Sequence, residues 1–214
     1  MGSRGDDWRS VEAGHEIPSE NYCDQPYVVV TDDGNWLCVL TTGRGLESKP
    51  GQHVVATISS DRGKSWSSLI DIEPPAERMT SWVTAFKTPS GRVYAVYNHE
   101  LTDESTQHGG HLCYKYSDDH GRSWSADRYV IPIRETRMDR ENVTGGREQF
   151  FWCIDKPVVT EGGVFFGLPK LSEGRPIVSG ESWVIHSANV LTETDPERLV
   201  WALLPDGDVG VTNP

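Results

Sequence analysis

Long apolar runs are missing from this chain, and no stretch approaches the ~20 residues that a membrane-spanning helix requires. The opening residues, Met1-Gly2-Ser3-Arg4-Gly5-Asp6-Asp7-Trp8, contain no hydrophobic signal core. That favours a cytoplasmic protein, unless the natural start lies upstream. Cysteine is sparse: Cys23, Cys38, Cys113 and Cys153 stand far apart, with no Cys-x-x-Cys and no clustered histidine. This argues against zinc, and no metal or other cofactor is expected. Cys38, Cys113 and Cys153 fall inside apolar runs, as buried free thiols do. Positive charge is also short. Lys and Arg number 20 against 32 Asp and Glu, a formal net charge of −12. Such a surface repels phosphate backbones and argues against a nucleic-acid partner. A sugar acid can bind only at a locally positive pocket. Helical periodicity is lacking too, beyond one turn around Asp195-Pro196-Glu197-Arg198.

What the chain does have is β-like runs in groups of four. Tyr27–Thr31, the turn Asp32-Asp33-Gly34-Asn35, Trp36–Leu40, His53–Ile58 and Ser68–Ile72 form the first group. Trp82–Phe86, Arg92–Tyr97, Leu112–Tyr116 and Arg128–Ile133 repeat the order. The third group is Trp152–Val159, Val164–Leu168, Trp183–Ser187 and Val200–Leu204. Polar loops at 42–52, 98–110 and 172–181 separate the second strand from the third in each group. Residues 1–21 read as a polar arm, 22–214 as the folded part, and the groups as units of about 22–74, 79–135 and 150–205. Asn142-Val143-Thr144 fits a glycosylation acceptor, relevant only to a secreted chain.

One eight-residue pattern occurs twice: Ser59-Ser60-Asp61-Arg62-Gly63-Lys64-Ser65-Trp66 and Ser117-Asp118-Asp119-His120-Gly121-Arg122-Ser123-Trp124. Both fit Ser-x-Asp-x-Gly-x-x-Trp. The Asp accepts backbone hydrogen bonds in a tight turn, the Gly supplies a positive φ, and the Trp buries a large ring. Ser187-Ala188-Asn189 keeps the opening of a third copy, with Trp201 as a delayed aromatic after an insertion at 193–198. The pattern resembles the Asp-box of the sialidase superfamily, with Ser59, Asp61, Gly63, Trp66, Ser117, Asp119, Gly121 and Trp124 as its structural residues. The resemblance implies an all-β fold, a β-propeller of four-stranded antiparallel blades. This chain holds about three of the six or seven blades of such a ring. A complete small β-domain with two similar hairpins is the alternative. Three blades leave two open edges, so poor stability and self-association through those edges are expected.

The resemblance also implies a glycan substrate. Sialidase-like proteins open the first blade with an aromatic-Arg-Ile-Pro motif whose Arg grips a carboxylate. Here Tyr22-Cys23-Asp24-Gln25-Pro26-Tyr27 stands in its place, with Asp24 where the Arg belongs. The family's acid/base Asp has no counterpart in Gly51-Gln52-His53. Sialic-acid specificity is therefore not expected to carry over. In an up-and-down blade the three long loops and the first-strand starts share one face, opposite the boxes. That face gives the catalytic candidates. His53 and His99 occupy equivalent loop ends and can move protons; Asp24 and Glu100 can pair for glycoside hydrolysis. His with Tyr97 and Arg134 can instead serve elimination on a uronic acid. The substrate-binding candidates are Gln25, Arg134, Lys156 and Arg175, with Trp82 and Trp152 able to stack on a sugar or pack in the core. His15, His108, His111, His120 and His186 show no partner pattern. Three function classes stay open: glycoside hydrolysis, uronate elimination, and glycan or protein binding without catalysis.

Overall fold

A computed structural model describes residues 10–76, 78–100, 109–152, 155–172 and 180–212. Its strands form three four-stranded antiparallel sheets, each a simple up-and-down meander. Blade 1 contains β1 (Tyr22–Val30), β2 (Trp36–Gly43), β3 (His53–Ser59) and β4 (Ile70–Asp71). Blade 2 contains β5 (Thr80–Lys87), β6 (Val93–His99), β7 (His111–Ser117) and β8 (Tyr129–Val130). Blade 3 contains β9 (Val158–Thr160), β10 (Gly163–Leu171), β11 (Gly180–Ser187) and β12 (Ala202–Leu204). These are blades of a sialidase-like β-propeller.

Strand alternation decides which face of each blade meets which neighbour. In β2, Leu37 and Val39 point toward blade 2, while Cys38 and Leu40 point away from it. In β6, Val93, Ala95 and Tyr97 meet blade 1, and Tyr94 and Val96 meet blade 3. Two cores result. One joins blades 1 and 2 through Leu37, Val54, Ala56, Val83 and Tyr97. The other joins blades 2 and 3 through Tyr94, Tyr114, Phe166, Trp183 and Ile185. Each large side chain buried there contributes roughly 1.5–3 kcal/mol, and a lone blade would bury neither face.

The two boxes are clasps with the same hydrogen bonds. Gly63 N–H donates to Ser59 Oγ at 2.7 Å and Gly121 N–H to Ser117 Oγ at 2.8 Å. Ser65 N–H and Ser123 N–H each reach the Asp carboxylate at 2.8 Å, and each Ser hydroxyl reaches it at 2.6 Å. These hydrogen bonds hold the Asp61 carboxyl well below the usual range. The residue before each glycine, Arg62 or His120, also takes a positive φ. The third copy has relaxed: Ser187 Oγ donates to Asn189 Oδ1 at 3.2 Å, and Val190 N–H caps Ser187 at 3.2 Å. In blades 2 and 3 the aromatic lands on the side facing the preceding blade, and in blade 1 it lies on the face away from blade 2. Trp66 packs with Cys38 and Leu40, Trp124 joins the core of blades 1 and 2, and Trp201 joins that of blades 2 and 3.

Several expectations are corrected by the structure. The outer strands shrink to two or three residues, because β4 and β8 are bounded by irregular backbone. The first strand of blade 3 begins at Val158 and not at Trp152; Phe150 and Phe151 make isolated bridges to Gly109 and Lys170 instead. A short helix, α1 (Arg137–Arg140), was not legible as a period because it spans one turn. It is anchored by a buried ion pair between Asp139 and Lys170, both at most 1% exposed, with Thr136 N–H donating to Asp139 at 2.7 Å. The turn around residues 195–198 is present as a 3-10 segment, Pro196–Arg198. Asn142 is buried and its amide donates to the Glu148 carbonyl at 2.7 Å, so it is no free glycan acceptor in the folded chain. Cys38 and Cys113 are buried free thiols, each pushed up to about 12 chiefly by burial, whereas Cys23 is exposed and Cys153 lies outside the described residues.

Gly121 gives a direct check on the clasp. Its φ is +87°, and an added Cβ would sit 2.4 Å from Leu37 Cδ1. Gly121→Ala is expected to destabilise the chain by about 2–4 kcal/mol from left-handed strain plus overpacking. Urea unfolding measures this, and a loss below about 1 kcal/mol would contradict the clasp's role.

Candidate functional site

The face opposite the boxes is assembled by register. Tyr22 pairs with Gly43 and Thr42 with His53 in blade 1; Thr80 pairs with His99, and His99 with His111, in blade 2. Residues 101–108 and 173–179, which include Arg175 and His108, lie outside the described residues.

Both inner strands carry a bulge at the same place. The β1–β2 register shifts between Asp24 and Tyr27, and the β5–β6 register between Ser81 and Thr84. Within them Gln25 has φ +50° and Trp82 φ +55°. Left-handed backbone is rare for a non-glycine residue, and equivalent bulges at one rim re-aim side chains there. The second bulge is fixed by its neighbour: Trp82 N–H donates to the buried Thr41 hydroxyl at 2.9 Å, and Gln52 Nε2 donates to Ser81 Oγ at 2.5 Å. Trp82 and Trp152 meet with ring centroids 5.9 Å apart. Trp82 is buried and Trp152 half-buried.

The four titratable candidates on this rim are in unlike states. His53 is buried, with Nδ1 3.0 Å from the Gly51 carbonyl and Nε2 3.5 Å from the Asp71 carboxylate. Both ring nitrogens are therefore spent on the protein. His99 is half-buried and pushed down to about 4 by burial, with Arg128 and Arg78 adding to the shift, so it is neutral at pH 7. Asp24 is half-buried at the first bulge, beside Tyr22, whose phenol is raised by burial and then by Asp24. Glu100 directly follows β6 in a buried position, its N–H donating to the Met79 carbonyl at 3.1 Å. Burial alone raises its carboxyl to about 7, and among the described residues no hydrogen bond reaches that carboxyl. Such a group exchanges its proton near neutrality.

Tyr97 is not on this surface. Its phenol is fully buried and donates to Glu73, which raises its pKa together with burial. The expectation that Tyr97 meets a substrate is corrected accordingly. Glu73 also takes a fork from Arg128 at 2.7 and 2.9 Å and lies 3.7 Å from Lys115 Nζ. Burial works against its charge, but Arg128, Tyr97 and Lys115 together hold it below the ordinary value. This network ties the outer strand of blade 1 to blade 2. Its one trace in the sequence was Lys115, a lone charge inside the apolar run 112–116; nothing in the spacing pointed to Glu73 or Arg128.

Arg134 is tied down as well. It donates to the Gly207 carbonyl and, at 3.1 Å, to that of Pro205, and it lies 5.4 Å over the Trp183 ring. These contacts join the segment after blade 2 to the C-terminal turn. Lys156 is exposed at the blade 3 end of the rim. Gln25 Oε1, Thr80 Oγ1, Thr84 Oγ1 and both amide atoms of Asn98 are buried without a hydrogen-bond partner among the described residues. Asn98 pairs with Ser81 across the second bulge. Among the described residues no cluster of His, Cys, Asp and Glu could hold a metal ion.

With this geometry in view, the family follows. Residues 3–131 match the BNR repeat-like domain, which is more than half of the chain, and the chain belongs to that family. No curated protein matches it. Among solved structures, a Hadza microbial sialidase is similar over 85% of this chain and 37% of its own, with 12% identity and a TM-score of 0.60. The NanB sialidase from Streptococcus pneumoniae is similar over 94% of this chain and 46% of its own, with 9% identity and a TM-score of 0.58. An ulvan lyase is similar over 81% and 41%, with 11% identity and a TM-score of 0.53. At these identities the likeness is one of fold. The chain spans less than half of each of those three proteins.

The Glu73 network predicts a graded loss. Glu73→Ala leaves Arg128, Lys115 and Tyr97 facing an empty centre and is expected to cost about 3–5 kcal/mol. Tyr97→Phe removes a single hydrogen bond, for about 1 kcal/mol. Equal effects in denaturant unfolding would contradict a centre built on Glu73.

Proposed function

We propose that this propeller acts on glycans at the rim carrying the two bulges, by glycoside hydrolysis with Glu100 as general acid. The observation that carries the reading is the Glu100 carboxyl, buried without a described partner and raised to about 7. A carboxylic acid still protonated near neutrality can give its proton to a leaving sugar oxygen. His99, neutral at pH 7, ends β6 just before it, and Asp24 on the adjoining blade is the candidate second carboxylate. Gln25, Lys156 and Arg175 remain candidates for holding the substrate, with the edge of Trp152 as a stacking surface.

The fold relatives add support at the level of class, since those with printed activities include sialidases and a polysaccharide lyase. Sialic-acid specificity draws none from this chain: Asp24 occupies the place of the carboxylate-gripping Arg, and Arg134 is already bound to backbone carbonyls. Elimination by Tyr97 is disfavoured by its burial against Glu73.

A panel of fluorogenic glycosides tests the reading. Turnover is expected with at least one member, and Glu100→Gln is expected to lower kcat by about 10²-fold or more while the melting temperature holds. A general acid works protonated, so kcat/KM should fall as pH rises through about 7. Full activity in Glu100→Gln would remove the assignment. Saturable glycan binding without turnover would leave a binding propeller.

A further inference from the structure

We propose that Thr41 and Gln52 of blade 1 are positioning residues for the rim: acting through Trp82 of blade 2, they set the orientation in which Trp152, ahead of blade 3, meets a glycan. The inference rests on the reading that the bulged rim binds substrate, and it requires nothing of Glu100.

The backbone at Trp82 is strained. The residue takes φ +55° within the β5 bulge. A bulky residue in the left-handed region is costly and persists only where its surroundings over-determine it. Here blade 1 supplies them, bonding three consecutive residues of β5. Thr80 N–H donates to the Gln52 carbonyl at 3.3 Å, Gln52 Nε2 donates to Ser81 Oγ at 2.5 Å, and Trp82 N–H donates to Thr41 Oγ1 at 2.9 Å. Thr41 is fully buried near the end of a largely apolar strand, where a hydroxyl is tolerated only with a partner. Asn98 holds the same register position in blade 2, paired with Ser81 as Thr41 is with Asp24, and it too is fully buried. The rim end of the second strand is thus a polar slot in both blades.

Gln52 links this lock to the first rim loop. One end of its carboxamide donates to Ser81, and the other accepts the Ser48 N–H at 2.9 Å. Ser48 is itself left-handed at φ +60°, and Gln52 N–H closes the turn onto the Lys49 carbonyl at 3.2 Å. An amide both donates and accepts, so one side chain ties loop 42–52 to the neighbouring bulge. The far end of the relay is aromatic. Trp82 is buried and meets the half-buried Trp152 with centroids 5.9 Å apart and planes tilted by 58°. Trp152 N–H is held by the Pro169 carbonyl at 3.1 Å, near the rim end of β10. With its backbone fixed there and its ring against Trp82, the accessible part of the Trp152 indole follows the bulge. A stacking ring contributes to binding and moves no proton, so the lock acts on affinity.

The experiment compares Thr41→Val, which keeps the shape and deletes the hydroxyl, with Thr41→Ser, which keeps the hydroxyl. Two close, tilted indoles give an exciton couplet in circular dichroism, isolated here as the difference between the unsubstituted chain and Trp152→Phe. Thr41→Val is expected to lose most of that couplet and Thr41→Ser to retain it. On whichever fluorogenic glycoside the panel shows to turn over, Thr41→Val is expected to raise KM about tenfold with kcat held within about twofold. It should add nothing further in a Trp152→Ala background. Should Thr41→Val fail to fold, Ser81→Ala, which removes the acceptor of Gln52, reads the same couplet and the same KM. An unchanged couplet in Thr41→Val overturns the proposal, as does one lost equally in Thr41→Ser. A couplet lost without any change in KM overturns it too. No turnover on any glycoside removes the hydrolytic reading, while the couplet still decides the lock, so the two failures are distinguishable.

Discussion

The serine–aspartate–glycine clasp at the β3–β4 and β7–β8 corners is the constraint on which the rest depends. It reverses the chain in a few residues, using a positive φ that glycine tolerates and a carboxylate that satisfies backbone and hydroxyl donors together. The outcome of that turn at the β7–β8 corner is placement of a tryptophan against the preceding blade. A blade has two faces to bury, so this placement turns a local hairpin into a stacked array. Blade 3 shows the same logic with weaker parts. Its clasp has loosened and its tryptophan arrives late, yet Trp201 still lands in the equivalent core.

That is why the fold was legible. The clasp needs fixed residue types at fixed spacing, and the strands between clasps alternate with period two. Elements held by long-range contacts were not. The one-turn helix at 137–140 exists because Lys170, thirty-one residues on, pairs with Asp139 in a fully buried setting. Ahead of β9, Phe150 and Phe151 are drawn into isolated bridges with Gly109 and Lys170. No local pattern encodes either.

The candidate site was legible in its location and less so in its chemistry. Loop lengths placed the face, and Glu100, His99 and Asp24 lie on it. Residue type could not say which groups are already committed. His53 is held at both nitrogens, Tyr97 serves Glu73, and Arg134 serves three backbone carbonyls. Burial separates them: the groups with strong internal partners stabilise blade contacts, whereas Glu100 is desolvated without a described one. The equivalent left-handed residues Gln25 and Trp82 could not be foreseen either, since a bulge arises from register across two strands.

The account stands most directly on the protonation state of Glu100 in the folded chain. A carbon-13 NMR titration with glutamate side chains labelled, assigned by comparison with Glu100→Gln, reads it. The account predicts one glutamate carboxyl titrating with a midpoint near 7 and absent from the variant. A Glu100 midpoint at the ordinary value of about 4.5 would contradict it.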